Sequence, residues 1–119
     1  MTSIGIDMVE IGRIESAVTQ WGERFLGRVY TEAELESYQG RISSLASRFA
    51  GKEAVMKALG TGARGVAWRE IEILSDAHGK PCVNLYGKAK ERAESLKLSE
   101  FSISLSDTRQ YAIAVAIGA

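Results

Sequence analysis

Hydrophobic and polar residues alternate at the start of the chain, from residue 3 to residue 9. Ile4, Ile6 and Met8 would occupy one face of a strand, and Asp7 would lie on the opposite face. A carboxylate there is either solvent-exposed or held for a chemical purpose. Spacing alone leaves both interpretations open.

A longer segment has the period of a helix. Ser43 or Ser44 can cap its start, and Gly60 is well placed to end it. The apolar stripe of this helix has spacings of four, seven and three residues, at Leu45, Phe49, Met56 and Leu59.

Charged residues interrupt this stripe. Lys52 falls in its middle and Arg48 at its edge, while Glu53 and Lys57 share a neighbouring face with small residues. A buried charge is costly unless it is paired, hydrogen-bonded or bound to a metal, and an anionic ligand with a cation is one candidate partner. The ordinary alternatives are a lysine that keeps its nitrogen in water and a common surface ion pair between Glu53 and Lys57.

The remaining patterns predict shorter helices and strand pairs. Thr31 and Glu34 have the spacing of a capping box. The predicted helices cover residues 12–21, 32–39 and 88–97, and the predicted strands cover 70–74, 82–86, 101–106 and 111–117. Because strand pairs follow helices without regular alternation, the sequence predicts an α+β fold, with an antiparallel sheet packed against one long central helix and shorter helices.

Length and composition narrow the class of protein. A chain of 119 residues, 45% apolar and 25% charged, predicts a single soluble domain spanning residues 1–119. Fifteen basic and fifteen acidic residues cancel, which disfavours nucleic-acid binding even for the basic helix at 88–97. The single cysteine, Cys82, excludes an internal disulfide and a cysteine zinc cluster. The sequence has no apolar run of membrane length, and we expect a cytoplasmic protein with no membrane partner.

A few residues are candidates for chemistry. Magnesium is usually held by one or two carboxylates with waters and phosphates, so Asp7 and Glu53 would suffice if the fold brought them together. The segment Gly60–Gly65, with Arg64, could approach a phosphate but matches no nucleotide fingerprint. The only histidine, His78, lies in a predicted turn, a position that suits a turn residue better than a general base.

Several motifs together resemble one family. The chain is similar to the small class of 4′-phosphopantetheinyl transferases, the holo-acyl-carrier-protein synthases, over almost its whole length. The motifs that carry the resemblance are Gly5-Ile6-Asp7 with Arg13, Arg48 to Ala54 with Lys57-Ala58, Gly60-Thr61-Gly62, Glu70 to Ile73, Gly79-Lys80-Pro81, and Ser102 to Ser106 followed by Tyr111-Ala112.

The resemblance implies a reaction and partners. It implies the 4′-phosphopantetheinyl transferase fold and the transfer of 4′-phosphopantetheine from coenzyme A to a serine of apo acyl carrier protein, with Mg²⁺, giving adenosine 3′,5′-bisphosphate. It also implies a homotrimer with coenzyme A in clefts between subunits.

The resemblance also assigns roles to residues of this chain. Asp7 and Glu53 would bind the metal and act in catalysis together with Lys57. Arg13, Arg24 and Arg28 would contact the carrier. The coenzyme A contacts would come from Arg48, Lys52, Lys57, Gly60, Gly62, Arg64 and Ser106.

One residue departs from the family pattern. Asp107 stands where the family usually has a histidine. It either opens the turn between the last two strands, or joins the metal site or acts as the base. The base that deprotonates the carrier serine is otherwise Glu53, a metal-bound water or another carboxylate.

Two rival interpretations remain at this point. The same catalytic residues would serve a transferase that modifies a carrier domain within a larger synthase. A noncatalytic module that binds coenzyme A is the alternative that Asp107 favours.

Overall fold

Residues 2–119, which the computed structural model describes, form helices and strands in an order close to the predicted one. The elements are β1 (Ser3–Glu10), α1 (Ile11–Trp21), α2 (Glu23–Val29), α3 (Glu32–Tyr38), α4 (Ile42–Leu59), α5 (Gly62–Gly65), a 3₁₀ turn (Trp68–Glu70), β2 (Ile71–Ser75), β3 (Pro81–Leu85), α6 (Gly87–Ser95), β4 (Phe101–Asp107) and β5 (Tyr111–Gly118). Within residues 2–119, no helix is long and apolar enough to cross a bilayer.

The strands form two antiparallel sheets. One has the order β1-β5-β4, and the other is the hairpin of β2 and β3. In the larger sheet, Asp7 lies opposite Ala114 of β5, and Ala114 lies opposite Leu105 of β4. The chain therefore has the α+β architecture with antiparallel sheets and a long central helix that the sequence predicts.

The larger sheet packs directly on α4. The face of β1 that carries Gly5 and Asp7 is the one that meets the helix, because small residues line both surfaces. These are fully buried alanines, Ala112, Ala114 and Ala116 on β5 and Ala46, Ala50 and Ala54 on α4. With so little side-chain volume between them, the two backbones approach closely.

The opposite face of this sheet is apolar and exposed in the single chain. Ile4, Ile6 and Met8 are 55–66% exposed, and Tyr111 and Ile117 of β5 are on the same face. The alternation predicted for β1 is thus confirmed. Its apolar side faces outward, however, whereas its more polar side contributes to the core.

Helix α4 is buried on most of its circumference, because it lies between the larger sheet, the β2–β3 hairpin and the shorter helices. Gly60 ends it in the left-handed conformation at φ 73°, as predicted. The prediction that Ser43 or Ser44 caps its start is wrong. The helix begins at Ile42, and Arg41 at the cap position makes no side-chain capping bond.

Most other boundaries agree with prediction within one or two residues. The capping box of Thr31 and Glu34 is present at the start of α3. The sequence analysis missed α2, because Gly27 lies in its interior and the helix is only seven residues long. It also missed the 3₁₀ turn, which begins at Trp68 and delays the start of β2.

The charge in the middle of the α4 stripe is compensated from within the fold. Lys52 is fully buried, and its Nζ lies 2.7 Å from Oε1 of Glu34, which is also fully buried. The same ammonium donates hydrogen bonds to the carbonyl oxygens of Trp68 and Ile71. Burial lowers the pKa of Lys52, and Glu34 opposes that change. The prediction that Lys52 binds coenzyme A does not fit this position, because its ammonium is enclosed and all three of its N–H groups have partners.

Candidate active site

The two carboxylates that the sequence singles out meet where β1 crosses α4. Asp7 belongs to β1 and Glu53 to α4, and the two side chains interact directly. Burial raises the pKa of Glu53, and the negative charge of Asp7 and a hydrogen bond between the two groups raise it further. The positive charge of Lys57 lowers the pKa of Glu53 and so opposes these effects. The like charges of Asp7 and Glu53 repel each other in this position.

Lys57 lies one helical turn beyond Glu53 and completes this cluster. Its Nζ donates a hydrogen bond to the carbonyl oxygen of Ile6 at 2.9 Å and lies 3.1 Å from Oδ1 of Asp7. The Lys57 side chain is 55% exposed, whereas that of Asp7 is 12% exposed. The ammonium is therefore open to an anion in solvent while it remains anchored to the strand.

A cleft of about 340 Å³ opens beside the two carboxylates. Arg13 lines it together with aromatic residues of α2 and α4, Phe25 and Phe49. Arg24 and Arg28 line a neighbouring hollow with Phe25, and the Arg24 guanidinium lies 5.7 Å from the Trp21 ring centroid. The three arginines proposed from the sequence are thus exposed on one side of the molecule, next to the carboxylate pair.

The glycine-rich segment follows directly from the same helix. The N–H of Gly60 bonds to the carbonyl oxygen of Lys57 at 3.1 Å, and Gly62 has φ 58° at the start of α5. Glu53 and Gly60 are about 10 Å apart along the helix axis, at 1.5 Å per residue. Oγ1 of Thr61, within this segment, is buried and has no hydrogen-bond partner among the residues that the structure describes. Arg64 is exposed on α5.

Arg48 lies in a different place from the carboxylate pair. Its Nη2 donates to the hydroxyl groups of Tyr38 and Ser75, each at 3.0 Å, and its guanidinium covers the Tyr38 ring. Its Nε is buried and has no hydrogen-bond partner within the described part of the chain. Arg48 and Asp107 line a second cleft of about 340 Å³, with serines from the first turns of α4.

Ser106 is also separated from the carboxylate pair. It lies opposite Ile113 of β5, which pairs with Met8, so it belongs to the outer face of the sheet. Asp7 belongs to the inner face. The fold therefore does not bring together all the residues predicted to bind coenzyme A. Arg48 lies at the cleft with Asp107, and Ser106 lies on the outer face of the sheet, both away from Lys57.

Some residues of these sites gave little signal in the sequence. Glu34 was visible only as part of a capping box, yet it is the partner of Lys52. Trp21 is half-exposed beside Arg24. No local period in the sequence indicated this position, because Gly22 separates the helix that ends at Trp21 from the one that begins at Glu23.

Comparison with known proteins identifies the family. Residues 3–116 match the model of the 4′-phosphopantetheinyl transferase superfamily. The chain belongs to this family.

Relatives and solved structures agree with this assignment. The chain is 46% identical to a holo-[acyl-carrier-protein] synthase of Herpetosiphon aurantiacus, over 99% of this chain and 98% of the relative. It is 47% identical to one of Dehalococcoides mccartyi, over 98% of each. The crystal structure of the Helicobacter pylori holo-[acyl-carrier-protein] synthase in complex with coenzyme A has a TM-score of 0.89 at 33% identity and covers 98% of this chain and 99% of that one. The resemblance and the fold class predicted from the sequence are confirmed.

Proposed function

We propose that this chain, as a single domain, transfers 4′-phosphopantetheine from coenzyme A to a serine of apo acyl carrier protein. The other product is adenosine 3′,5′-bisphosphate. The observation that carries the proposal is the meeting of Asp7, Glu53 and Lys57 beside an open cleft, in a chain whose relatives are named for this reaction.

The carboxylate pair fits a magnesium ion. Asp7 and Glu53 are hard oxygen donors that lie side by side, and burial together with the repulsion between their negative charges raises the pKa of Glu53. A divalent cation would remove that repulsion, and Mg²⁺ typically takes one or two carboxylates and fills its other positions with water and phosphate oxygens. Bound there, Mg²⁺ would draw charge from the pyrophosphate of coenzyme A and stabilise the leaving phosphate.

The chain's own residues would position the substrate. Lys57, exposed and one turn from Glu53, would bind a phosphate oxygen of the pyrophosphate. The segment from Gly60 to Arg64 would lie along the nucleotide, where the exposed guanidinium of Arg64 would be available to a phosphate. Positioning and electrostatics carry most of the catalysis in phosphoryl transfer, and these are what the cluster offers.

The arginine surface beside the cleft suits an acidic carrier. Arg13 lines the cleft of the carboxylates, and Arg24 and Arg28 continue the surface along α2. Acyl carrier proteins are acidic, so these side chains would guide the carrier serine towards the pyrophosphate. Trp21 adds an exposed aromatic ring at the edge of the same surface.

We also propose a homotrimer, with the coenzyme A sites between subunits. The apolar outer face of β1 and β5 needs a partner, since exposed apolar patches of this kind mark interfaces. Two of the predicted ligands, Arg48 and Ser106, each lie away from Asp7 in one chain. A neighbouring subunit would bring such residues to Asp7, Glu53 and Lys57, so that two chains would complete one site. We expect this enzyme to act in the cytoplasm.

The release of adenosine 3′,5′-bisphosphate tests the site assignment. The purified chain is incubated with coenzyme A, Mg²⁺ and an apo acyl carrier protein, and the nucleotide product is separated by chromatography. Asp7→Asn and Glu53→Gln should each lower the rate by at least about 100-fold. Glu15→Gln, an exposed carboxylate on α1, is the matched control and should keep the wild-type rate. Full activity in both site variants would contradict the assignment.

A further inference from the structure

Strand β1 approaches the backbone of α4 very closely at Gly5. A Cβ atom built on Gly5 would lie 1.9 Å from the carbonyl oxygen of Ala54 and 2.8 Å from the backbone nitrogen of Ala58. Both contacts are to helix backbone, which cannot rotate away as a side chain could. Any residue other than glycine would therefore push the strand and the helix apart by about 1 Å or more.

This contact lies next to both carboxylates. Gly5 and Asp7 are two residues apart on the same face of β1, about 7 Å along the strand. Ala54 directly follows Glu53 in α4. The distance between the two backbones at Gly5 therefore determines how far apart the carboxylates of Asp7 and Glu53 stand.

We propose that Gly5 is a positioning residue that sets the separation of Asp7 and Glu53 needed for both to hold one divalent cation. The inference rests on the proposed metal site. Mg²⁺ requires near-ideal geometry with oxygens at about 2.0–2.1 Å, so a displacement of about 1 Å between its two protein ligands is large. The fully buried alanines of β5 and α4 keep side-chain volume small in the rest of this interface.

Direct binding of Mn²⁺, without coenzyme A or carrier, tests the proposal on the full-length chain by calorimetry. Gly5→Ala should weaken Mn²⁺ binding at least tenfold. Gly12→Ala is the matched control, because a Cβ at Gly12 of α1 has no atom within 4 Å, and its affinity should stay within twofold of the wild type. A Gly5→Ala variant that folds and binds Mn²⁺ within twofold of the wild type overturns the proposal.

A rescue variant separates positioning from a general loss of structure. Asp7→Glu adds one methylene to the ligand side chain. In the wild-type background, Asp7→Glu should weaken Mn²⁺ binding. In the Gly5→Ala background, it should raise the Mn²⁺ affinity at least threefold above that of Gly5→Ala alone. If Asp7→Glu weakens Mn²⁺ binding equally in both backgrounds, the proposal is overturned. A glycine with a merely structural role would not make the effect of Asp7→Glu on Mn²⁺ affinity change from a loss to a gain.

A milder displacement covers the case in which Gly5→Ala fails to fold. Ala116 lies opposite Gly5 in the register and is fully buried against α4. Ala116→Ser adds a single atom there. Asp7→Glu should raise the Mn²⁺ affinity in the Ala116→Ser background although it lowers it in the wild type. If Asp7→Glu lowers the affinity equally in both backgrounds, the proposal is overturned. If Asp7→Asn binds Mn²⁺ as the wild type does, or the wild type does not bind it, the proposed metal site itself is wrong. If Asp7→Asn abolishes Mn²⁺ binding but Gly5→Ala binds as tightly as the wild type, the metal site stands and only the positioning role of Gly5 is wrong.

Discussion

The buried ion pair of Lys52 and Glu34 gives a sharp prediction about stability. Lys52→Met keeps the length of the side chain and removes its charge. It leaves the Glu34 carboxylate, fully buried, with only the N–H groups of Ile73 at 2.7 Å and Thr31 at 2.9 Å as donors. It also leaves the carbonyl oxygens of Trp68 and Ile71 without the ammonium that they accept from.

These losses set the magnitude. Leaving a buried acceptor without a partner costs about 1–3 kcal/mol. Breaking a buried ion pair by removing one partner costs about 3–5 kcal/mol, because the remaining charge is uncompensated. We expect Lys52→Met to lower the free energy of unfolding by about 3–5 kcal/mol. The double variant Lys52→Met/Glu34→Gln should recover at least half of that loss, because the remaining amide is neutral and still accepts a backbone hydrogen bond.

Urea unfolding followed by circular dichroism measures these differences. All variants are compared at one protein concentration, since assembly changes apparent stability. Lys88→Met, at an exposed lysine of α6, is the control and should stay within about 0.5 kcal/mol of the wild type. A Lys52→Met variant within about 1 kcal/mol of the wild type, or a double variant less stable than the single one, would refute the reasoning.

Four further predictions concern the site and its surfaces. The folded state holds the Glu53 proton more tightly than the unfolded chain does, because the pKa of Glu53 is raised on folding. The metal-free protein should therefore lose stability as pH rises through that raised pKa. Urea titrations from acidic to neutral pH measure this loss, and Glu53→Gln should abolish it. Ile6→Lys places a charge on the apolar outer face and should convert a trimer into monomers by light scattering; a variant that stays trimeric would exclude this face as the interface. Arg24→Glu should raise the KM for the carrier severalfold, with a weaker salt dependence and an unchanged KM for coenzyme A; equal changes in both KM values would argue against a docking role. Asp107→His removes a negative charge from the cleft that Arg48 lines. The variant should turn over as fast as the wild type or faster, with a lower KM for coenzyme A. A large loss of turnover would show that Asp107 has acquired a role.

Local patterns predicted much of the fold, because they depend on neighbours in the sequence. The alternation in β1, the capping box at Thr31 and the glycine that ends α4 each gave a boundary that the structure reproduces. The pattern could not say which face of β1 would be buried. That choice depends on Gly5 and the alanines of α4, whose small size permits close packing only after the two elements meet.

The candidate site was predictable only in part, for the same reason. The alternation in β1 singled out Asp7, and the i, i+4 spacing placed Glu53 and Lys57 on one face of a helix. Neither pattern showed that Asp7 and Glu53 meet, which only the family resemblance implied. The partner of Lys52 is 18 residues away in the sequence, on another helix, and no local period links the two. A charge in an apolar stripe showed that compensation was required, but it did not distinguish an internal carboxylate from an external ligand.

The intact mass of the carrier tests the central claim most directly. An apo acyl carrier protein is incubated with the purified chain, coenzyme A and Mg²⁺, beside a reaction with a chelator and one with a carrier whose acceptor serine is replaced by alanine. We predict that the carrier gains the mass of one 4′-phosphopantetheine only in the complete reaction. An unchanged carrier mass in the complete reaction, with the chain folded and several carriers tried, would contradict the proposed transfer. A gain that persists with the chelator would contradict the role of the metal at Asp7 and Glu53.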